Sequence, residues 1–192
     1  MTKIGFVRHG STAWNKERRA QGSADIPLDE DGIIQANKLA ERLSMENWDV
    51  IYSSDLLRAR QTAEIISERM GNKQIVLEPR IREVSGGQIE GTIESERIAK
   101  WGHNWRELDL GMEDVESVIK RTLPFIQEIQ EKHENRNILI VSHGACIQCL
   151  IQVLVPQVEF EGHLENTSIT ELNKTSNGWT CNLYNCAKHL DS

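Results

Sequence analysis

Positive charge is scarce in this chain relative to negative charge. Its 192 residues include 22 Lys and Arg against 29 Asp and Glu, which gives a net charge of −7. A surface of that sign repels nucleic acids and anionic membranes, and the sequence has no basic stripe interleaved with aromatic residues. We therefore expect no nucleic-acid partner. A small anionic ligand would have to be held by a few individually placed cations.

Long apolar runs are missing as well. A membrane helix needs about 20 apolar residues, but the longest candidate, 138–155, is interrupted by Ser142, His143, Gly144 and two glutamines. The first ten residues contain a lysine and an Arg-His pair, so they do not resemble a secretion signal. These features predict a cytoplasmic protein with no membrane partner.

Cysteines are few, and the common metal-binding spacings are scarce. The four cysteines, Cys146, Cys149, Cys181 and Cys186, do not indicate a disulfide framework in a cytoplasmic chain of this length. Cys146 and Cys149 have the C-x2-C spacing of a zinc site. They lie in the apolar segment ACIQCLIQVLV, however, which favours small buried side chains of a helix over metal ligands. The chain has no H-x-H or H-E-x-x-H motif and no P-loop or dinucleotide fingerprint. We expect no metal ion and no cofactor.

What the sequence does contain is a regular alternation of strand and helix patterns, with no repeat or linker, which predicts one domain over residues 1–192. Strands are predicted at 3–7, 49–54, 75–79, 137–143, 168–172 and 179–184, and helices around 33–43, 56–70, 115–129 and 145–155, the third kinked at Pro124. The apolar face of the first helix is predicted from the helical spacing of Ile33, Ala36, Leu39, Ala40 and Leu43. This alternation is typical of an α/β three-layer sandwich. We expect a mostly parallel central sheet with helices on both faces and an antiparallel strand near one edge.

Ligands of such sheets bind beyond the carboxyl ends of the strands. His9 ends the first predicted strand and His143 the fourth, while Arg58 follows the second and Glu83 the third. A lone histidine is more often structural than catalytic, but two histidines at the ends of two parallel strands, with Arg8, Arg58 and Glu83 nearby, favour a site. The glycine after each histidine lets a phosphate-sized group approach the backbone.

The residues around His9 are similar to a known signature. Phe6–Asn15, which contains Arg8-His9-Gly10 (an RHG motif), resembles the signature of the histidine phosphatase superfamily, the phosphoglycerate mutase-like proteins. Further blocks resemble that family in its own order, at 19–28, 53–63, 82–91, 141–144 and 166–170. The resemblance runs from residue 4 to about residue 172 and implies the three-layer fold expected above.

The resemblance also implies a reaction. His9 would attack phosphorus to form a phosphohistidine, so that one displacement becomes two. Arg8, Arg58 and a cationic His143 would hold the phosphate oxygens, and Asn15 would add a neutral donor. The remaining residues assigned to phosphate or substrate are Gln21, Gly22 and Gly144, and for Gln21 bracing of the loop is the simpler interpretation.

Glu83 would donate a proton to the leaving alkoxide and then activate water, which requires a neighbouring anion or burial to keep it protonated. Alternatively, Glu83 is a surface residue whose carboxylate pairs with Arg80 or Arg82. No metal is implied, because the arginine and histidine side chains supply the positive charge.

The sequence departs from the family's pattern around the predicted pocket. Ile89 stands where phosphatase relatives usually carry Trp, and 111–114 reads Gly-Met-Glu-Asp where the family tends to have Gly-Glu-Ser. The predicted lid, 84–112, is short and lacks an insertion. Its tryptophans, Trp101 and Trp105, are assigned to packing ahead of substrate contact.

Several functions remain open on the sequence alone. The first is a metal-independent phosphomonoesterase acting on a small phosphorylated substrate, as a monomer or homodimer. The second is a phosphoglycerate mutase, in which a sugar-acid hydroxyl replaces water. The third is an inactive relative that only binds phosphorylated ligands or a partner protein. This alternative is disfavoured by the intact set of His9, Arg8, Arg58, Glu83 and His143. A metal-dependent hydrolase lacks its ligand spacing.

Overall fold

The computed structural model describes residues 1–159 and 162–191, where strands and helices alternate as the sequence predicts. The strands are β1 (Lys3–Arg8), β2 (Val50–Ser53), β3 (Ile75–Leu77), β4 (Asn137–Ser142), β5 (Ile169–Thr175) and β6 (Gly178–Cys186). The helices are α1 (Ala13–Lys16), α2 (Glu30–Ser44), α3 (Leu57–Arg69), α4 (Glu94–Trp101), α5 (Val115–Lys132) and α6 (Gly144–Leu154). Short 3-10 turns lie at Pro79–Ile81, Gly87–Ile89, Trp105–Glu107 and Lys188–Leu190.

The six strands form one sheet in the order β3-β2-β4-β1-β5-β6. β2 is parallel to both β3 and β4, and β4 is parallel to β1. β5 is antiparallel to both of its neighbours, β1 and β6. The predicted mostly parallel sheet with an antiparallel strand near one edge is therefore confirmed. Because Arg8 is in register with Ser142, the residues that follow them leave the sheet side by side.

Helices cover both faces of this sheet. In β4, Ile138 and Ile140 belong to a core shared with α5 and α6, whereas Leu139 and Val141 belong to a second core shared with α2 and α3. The alternation follows from the period of two residues in a strand, and burial on both faces explains the unbroken apolar run of β4. The molecule thus has the three layers predicted.

One predicted core position in α2 is wrong. Ile33 was expected on the buried face, but 45% of its surface is exposed. The residue facing the core at that turn is Gly32, whose backbone lies so close to Ser11 that a β-carbon there would be 2.1 Å from the Ser11 carbonyl oxygen. Helical phase therefore places Ile33 beside the contact rather than in it.

α5 continues through Pro124 from Val115 to Lys132, with the proline inside the helix. Proline removes one backbone donor from the helix but leaves the apolar face of α5 intact, and Phe125, Ile126 and Ile129 are all buried. In the part of the chain that the structure describes, no helix combines the length and apolar character that crossing a membrane requires.

The segment 84–112 contains α4 between two 3-10 turns. Trp105 is buried, and its Nε1 donates to Glu94 at 3.1 Å. The guanidinium groups of Arg97 and Arg106 lie over the Trp105 ring, 5.1 and 4.3 Å from its centroid. These contacts pack α4 against the turn that follows it, in agreement with a packing role for this tryptophan.

Candidate active site

Two histidines lie side by side at the carboxyl edge of the sheet. His9 follows β1 and His143 follows β4, and their ring centroids are 5.2 Å apart. Both are buried, with 3% and 0% of their surface exposed. The structure thus brings together the two histidines that the strand ends singled out.

One tautomer of His9 accounts for both of its ring nitrogens. Nδ1 lies 2.7 Å from the carbonyl oxygen of Gly10, which can only accept, so Nδ1 carries the proton. Nε2 then presents its lone pair, which accepts a hydrogen bond from Nε of Arg58 at 3.2 Å. Burial, and then the charges of Arg58 and Arg8, lower the pKa of His9 well below its ordinary value. The ring is therefore neutral at pH 7, with Nε2 as its basic nitrogen.

Arg58 is held rigidly near the start of α3. Besides His9, it donates to the carbonyl oxygens of Ala24 at 2.7 Å and Gly22 at 2.8 Å, and its side chain is fully buried. Burial lowers the pKa of Arg58 to about 10, so the guanidinium is still cationic at pH 7. The loop after α1 therefore fixes a positive charge against the nucleophilic face of His9.

His143 is hydrogen-bonded through Nε2 to the hydroxyl of Ser54 at 2.8 Å. Its Nδ1 is buried and has no hydrogen-bond partner among the described residues. Burial, and then the charges of Arg58, His9 and Arg8, lower the pKa of His143 well below its ordinary value. The protein surroundings by themselves thus favour a neutral ring, whereas the cationic His143 predicted from the sequence refers to a ring opposite a bound phosphate. A dianionic phosphate beside the ring would act in the opposite direction.

Arg8 and Asn15 approach the same place from β1 and α1. Nη1 of Arg8 donates to the carbonyl of Leu164, while its Nε is buried without a partner in the described part of the chain. Oδ1 of Asn15 accepts from the backbone N–H and the hydroxyl of Thr12, each at 3.1 Å. Because the oxygen end of this amide is engaged, its NH₂ end is the one left to donate.

Glu83 lies beyond β3, and its carboxylate meets the first turn of α6. Oε1 accepts from the N–H of Cys146 at 2.9 Å, Oε2 accepts from the N–H of Ala145 at 3.3 Å, and the N–H of Val84 donates to Oε1 at 2.9 Å. Backbone N–H groups at a helix start have no partner within the helix, so a carboxylate is a favourable acceptor there. The alternative pairing of Glu83 with Arg80 or Arg82 is not present, because those arginines pair with Glu78 and Asp55.

A cavity of about 430 Å³ opens at this edge of the sheet. Four predicted residues line it, namely Arg8, Asn15, Glu83 and Gly144, together with Ala145, Gln148, His163, Leu164 and Asn166. Gly144 lies close to Arg8, because a β-carbon at this position would be 3.4 Å from Arg8 Nε. His9, Arg58 and His143 are not part of the wall but are buried beside Arg8, whose charge acts on both histidines.

Gln21 and Gly22 do not line this cavity, although both were assigned to phosphate or substrate. Gly22 supports the site through its carbonyl, which accepts from Arg58. Its φ of +49° is one that glycine tolerates best, and a β-carbon there would lie 2.1 Å from Oε1 of Glu90. Oε1 of Gln21 is buried without a partner in the described residues.

Several polar residues in the site were not singled out from the sequence. They are Ser54, Thr62 and Asn166. The Thr62 hydroxyl accepts from the N–H of Gly10 at 3.1 Å and donates to the carbonyl of Arg58 at 2.8 Å. The Asn166 amide donates to the carbonyl of His9 at 3.0 Å. All three fall inside the blocks that resemble the family. No characteristic sequence spacing distinguishes hydroxyl and amide side chains of a site from those elsewhere, so these residues could not be predicted one by one.

The C-x2-C pair lies in α6, as predicted. Cys146 is buried, Cys149 is partly buried, and all four cysteines have free thiols. Burial raises the pKa of Cys146 to about 12, which disfavours the thiolate that a metal would need. In residues 1–159 and 162–191 no group of three or more His, Cys, Asp or Glu side chains is arranged to hold a metal ion.

Comparison with known proteins agrees with this geometry. The sequence profile described as histidine phosphatase superfamily, branch 1, matches residues 4–187. The chain is 32% identical to an uncharacterized phosphatase, PhoE, of Bacillus subtilis, with 99% of the chain and 97% of that protein covered. It is also 32% identical to phosphoglycerate mutase-like protein 4 of Arabidopsis thaliana, with 98% and 87% covered.

A solved structure is similar as well. The phosphoserine phosphatase of Entamoeba histolytica superimposes with a TM-score of 0.83 at 32% identity, covering 99% of this chain and all of that one. The matched profile spans nearly the whole described structure, including both histidines, both arginines and Glu83. The chain therefore belongs to the histidine phosphatase superfamily, branch 1, and is a phosphatase of that superfamily.

Proposed function

We propose that this phosphatase hydrolyses phosphomonoesters of small metabolites through a phosphohistidine at Nε2 of His9. The observation that carries the proposal is the placement of the buried His9 ring, whose Nδ1 donates to the Gly10 carbonyl and whose Nε2 lone pair faces Arg58. Burial and the charges of Arg58 and Arg8 lower the pKa of His9, so the ring is neutral. In the first step Nε2 bonds to phosphorus as the P–O bond to the alcohol breaks. In the second step water attacks phosphorus and the P–N bond breaks, which releases inorganic phosphate and regenerates His9.

The transferred phosphoryl group would be held by Arg8, Arg58, His143 and Asn15. Arg8 Nε and His143 Nδ1 are buried polar atoms without partners in the described part of the chain, and buried groups of this kind are ordinarily paired. Phosphate oxygens would accept from these atoms and from the Asn15 amide. Gly144 leaves room for the phosphate because it has no side chain beside Arg8. Gln21 and Gly22, also assigned to phosphate or substrate, stay predictions, and the Gly22 carbonyl additionally fixes Arg58.

Glu83 would supply the proton for the leaving alcohol and then remove one from water. It shares the cavity wall with Arg8 and Asn15, on the side where α6 begins. Its two oxygens accept from the N–H groups of Cys146 and Ala145, which keep the carboxyl group at the cavity wall where both proton transfers would take place. One group can therefore serve both half-reactions.

No metal ion is needed in this scheme. Two arginines, one fully buried and one mostly buried, bring two positive charges to a phosphate that carries about two negative charges at neutral pH. Planar guanidinium groups also match phosphate oxygens in geometry. The charge that Mg²⁺ supplies in other phosphoryl-transfer sites is thus provided by side chains.

We propose water rather than a sugar acid as the acceptor. A mutase must hold a carboxylate-bearing intermediate with cations and keep water out. The arginines of the predicted lid are engaged elsewhere, since Arg97 donates to Thr92 at 2.9 Å and Arg106 donates to Glu94 at 2.9 Å. Lys100 lies over the ring of Trp101, 4.4 Å from its centroid. These contacts support hydrolysis over isomer exchange.

The test compares the two outcomes on one preparation in the presence of EDTA. Phosphate release is measured over a panel of phosphomonoesters that includes O-phosphoserine and 3-phosphoglycerate. Isomer exchange of 3-phosphoglycerate is measured after priming with 2,3-bisphosphoglycerate. We expect phosphate release to survive chelation and to exceed isomer exchange. Exchange much faster than release, or activity that returns only with added metal, would overturn the proposal.

We further propose that the enzyme works in the cytoplasm as a monomer or homodimer. The four free thiols of the structure suit a reducing compartment. Light scattering coupled to size exclusion measures the mass directly, and a tetramer would contradict this part of the proposal.

A further inference from the structure

Arg121 of α5 uses its whole hydrogen-bonding capacity on the chain around Glu83. Nη1 donates to the carbonyl oxygens of Arg80 at 2.6 Å and Arg82 at 3.0 Å, and Nη2 donates to that of Glu83 at 3.3 Å. The carboxylate of Glu113 accepts from Nε at 2.7 Å and from Nη2 at 2.9 Å. A guanidinium has five N–H groups in a rigid planar fork, and these contacts account for five hydrogen bonds.

Glu113 extends this arrangement to the other side of Glu83. Its Oε2 accepts from the N–H of Ser85 at 3.2 Å, and its own N–H donates to the Ser85 carbonyl at 2.9 Å. The Arg121–Glu113 pair therefore holds the backbone both before and after Glu83. Both side chains are mostly buried, with 23% and 18% of their surface exposed. An ion pair of this kind, bidentate and shielded from water, is far more rigid than an exposed one.

The carboxylate of Glu83 is thus located from two directions. The N–H groups of Ala145 and Cys146 hold its oxygens, while Arg121 holds its backbone. Arg121 itself is not among the residues that line the cavity, so it has no contact with substrate by this geometry. Its influence on the reaction would have to pass through Glu83.

We propose that Arg121, fixed by Glu113, is a positioning residue that sets the distance between the Glu83 carboxylate and the leaving-group oxygen. The inference rests on the proposed acid–base role of Glu83. Proton transfer needs the two heavy atoms within hydrogen-bond distance, and a displacement of about 1 Å can reduce the rate on the order of 100-fold. A lysine at this position keeps the positive charge but cannot replace a five-donor fork.

The experiment compares Arg121→Lys with wild type on an alkyl and an aryl phosphate, β-glycerophosphate and p-nitrophenyl phosphate. Phosphoenzyme formation is followed by rapid quench, which isolates the first chemical step. We expect the alkyl rate to fall by about 10- to 100-fold. The aryl rate, whose leaving group needs little protonation, and the KM of both substrates should each change less than about threefold.

Two further variants keep the test decisive. Glu113→Gln preserves shape while weakening the hold on Arg121, so it should give the same selective loss of the alkyl rate. It replaces Arg121→Lys in the test if that variant fails to fold. Arg106→Lys is the matched control, because Arg106 also forms a two-point pair with a glutamate, Glu94, but has no contact near Glu83. It should leave both rates unchanged.

The double variant Glu83→Gln/Arg121→Lys separates positioning from general structural damage. If Arg121 acts through Glu83, the double variant is no slower than Glu83→Gln alone. Equal losses on alkyl and aryl phosphates, or losses that multiply in the double variant, would overturn the inference while leaving the role of Glu83 intact. A Glu83→Gln variant with an unchanged alkyl-to-aryl ratio would overturn the acid–base role and this inference together.

Discussion

At the scale of single residues, the reacting groups are oriented largely by backbone atoms. The Gly10 carbonyl sets the His9 tautomer, and the amides of Ala145 and Cys146 hold Glu83. His9 and Glu83 could be predicted from the sequence because each follows a strand of a parallel sheet, and such strand ends converge. The bond from Ser54 to His143 could not, since it depends on side-chain rotamers and on the exact approach of two loops. The lowering of the His143 pKa by the protein itself could not be predicted either, because it follows from burial beside arginines.

The role of Glu83 makes a prediction at this scale. Glu83→Gln keeps the shape and leaves the amide oxygen to accept from the N–H of Cys146, but its NH₂ end cannot accept from the N–H of Ala145. The substitution also removes the transferable proton. Turnover of alkyl phosphates should fall by about 100- to 10,000-fold. Aryl phosphates should lose much less in the phosphorylation step, because a phenolate leaves without full protonation.

Rapid-quench rates for both substrate types provide the measurement. Glu107→Gln serves as the control, because Glu107 is an exposed glutamate of the segment 84–112 and lies outside the cavity wall. Equal losses on alkyl and aryl phosphates would mean that Glu83 has only a structural role.

At the scale of elements, apolar periodicity predicts the helices and strands well where they pack against the sheet. It misplaces Ile33, because periodicity does not reveal that Gly32 is in contact with the Ser11 backbone. Apolar periodicity also gives no information about the loop after α1. There the carbonyl of Gly22 fixes Arg58, a contact that no sequence pattern predicts. Loops of this kind lack a repeating pattern, so their contacts follow from tertiary packing alone.

The Gly22 loop gives the prediction at this scale. Gly22→Ala adds a methyl group to a left-handed residue and drives it into Glu90 and the Gly86 backbone, 2.1 and 2.7 Å away. The free energy of unfolding should drop by about 2–3 kcal/mol, and kcat should fall because the Gly22 carbonyl no longer aligns Arg58.

Gly71→Ala is the matched control for this change. Gly71 also has a positive φ, +81°, but nothing lies within 4 Å of an added β-carbon. It should lose about 1 kcal/mol and keep full activity. Urea unfolding and steady-state kinetics on both variants measure the difference. Equal destabilisation of the two, or a fully active Gly22→Ala, would argue against the proposed support of Arg58.

At the scale of the whole molecule, three buried histidines link stability to pH. Burial is the main reason that the pKa values of His9 and His143 lie well below 6.5 and that the pKa of His189 is lowered to about 4. The unfolded chain takes up these protons as the pH falls below 6.5, whereas the native state does not. The free energy of unfolding is therefore highest above about pH 7. It declines in mild acid, by about 1 kcal/mol for each of the three histidine rings at pH 5.5.

Urea unfolding at pH 7.5 and pH 5.5 measures this decline. His189 lies outside the proposed catalytic group, with Nε2 3.1 Å from the hydroxyl of Thr167. His189→Asn should therefore remove about one third of the pH dependence and leave the rest. Equal free energies of unfolding at the two pH values would contradict the neutral, buried state of these rings.

The central claim is that the phosphoryl group passes through Nε2 of His9 without a metal ion. The most direct measurement is rapid acid-free quench of the enzyme with ³²P-labelled substrate in EDTA, followed by mapping of the labelled peptide. We predict an alkali-stable, acid-labile phosphate on His9, formed within the first turnover and lost in a folded His9→Ala variant that has no activity. A label on Ser11 or on a cysteine, or turnover that continues in His9→Ala, would contradict the account.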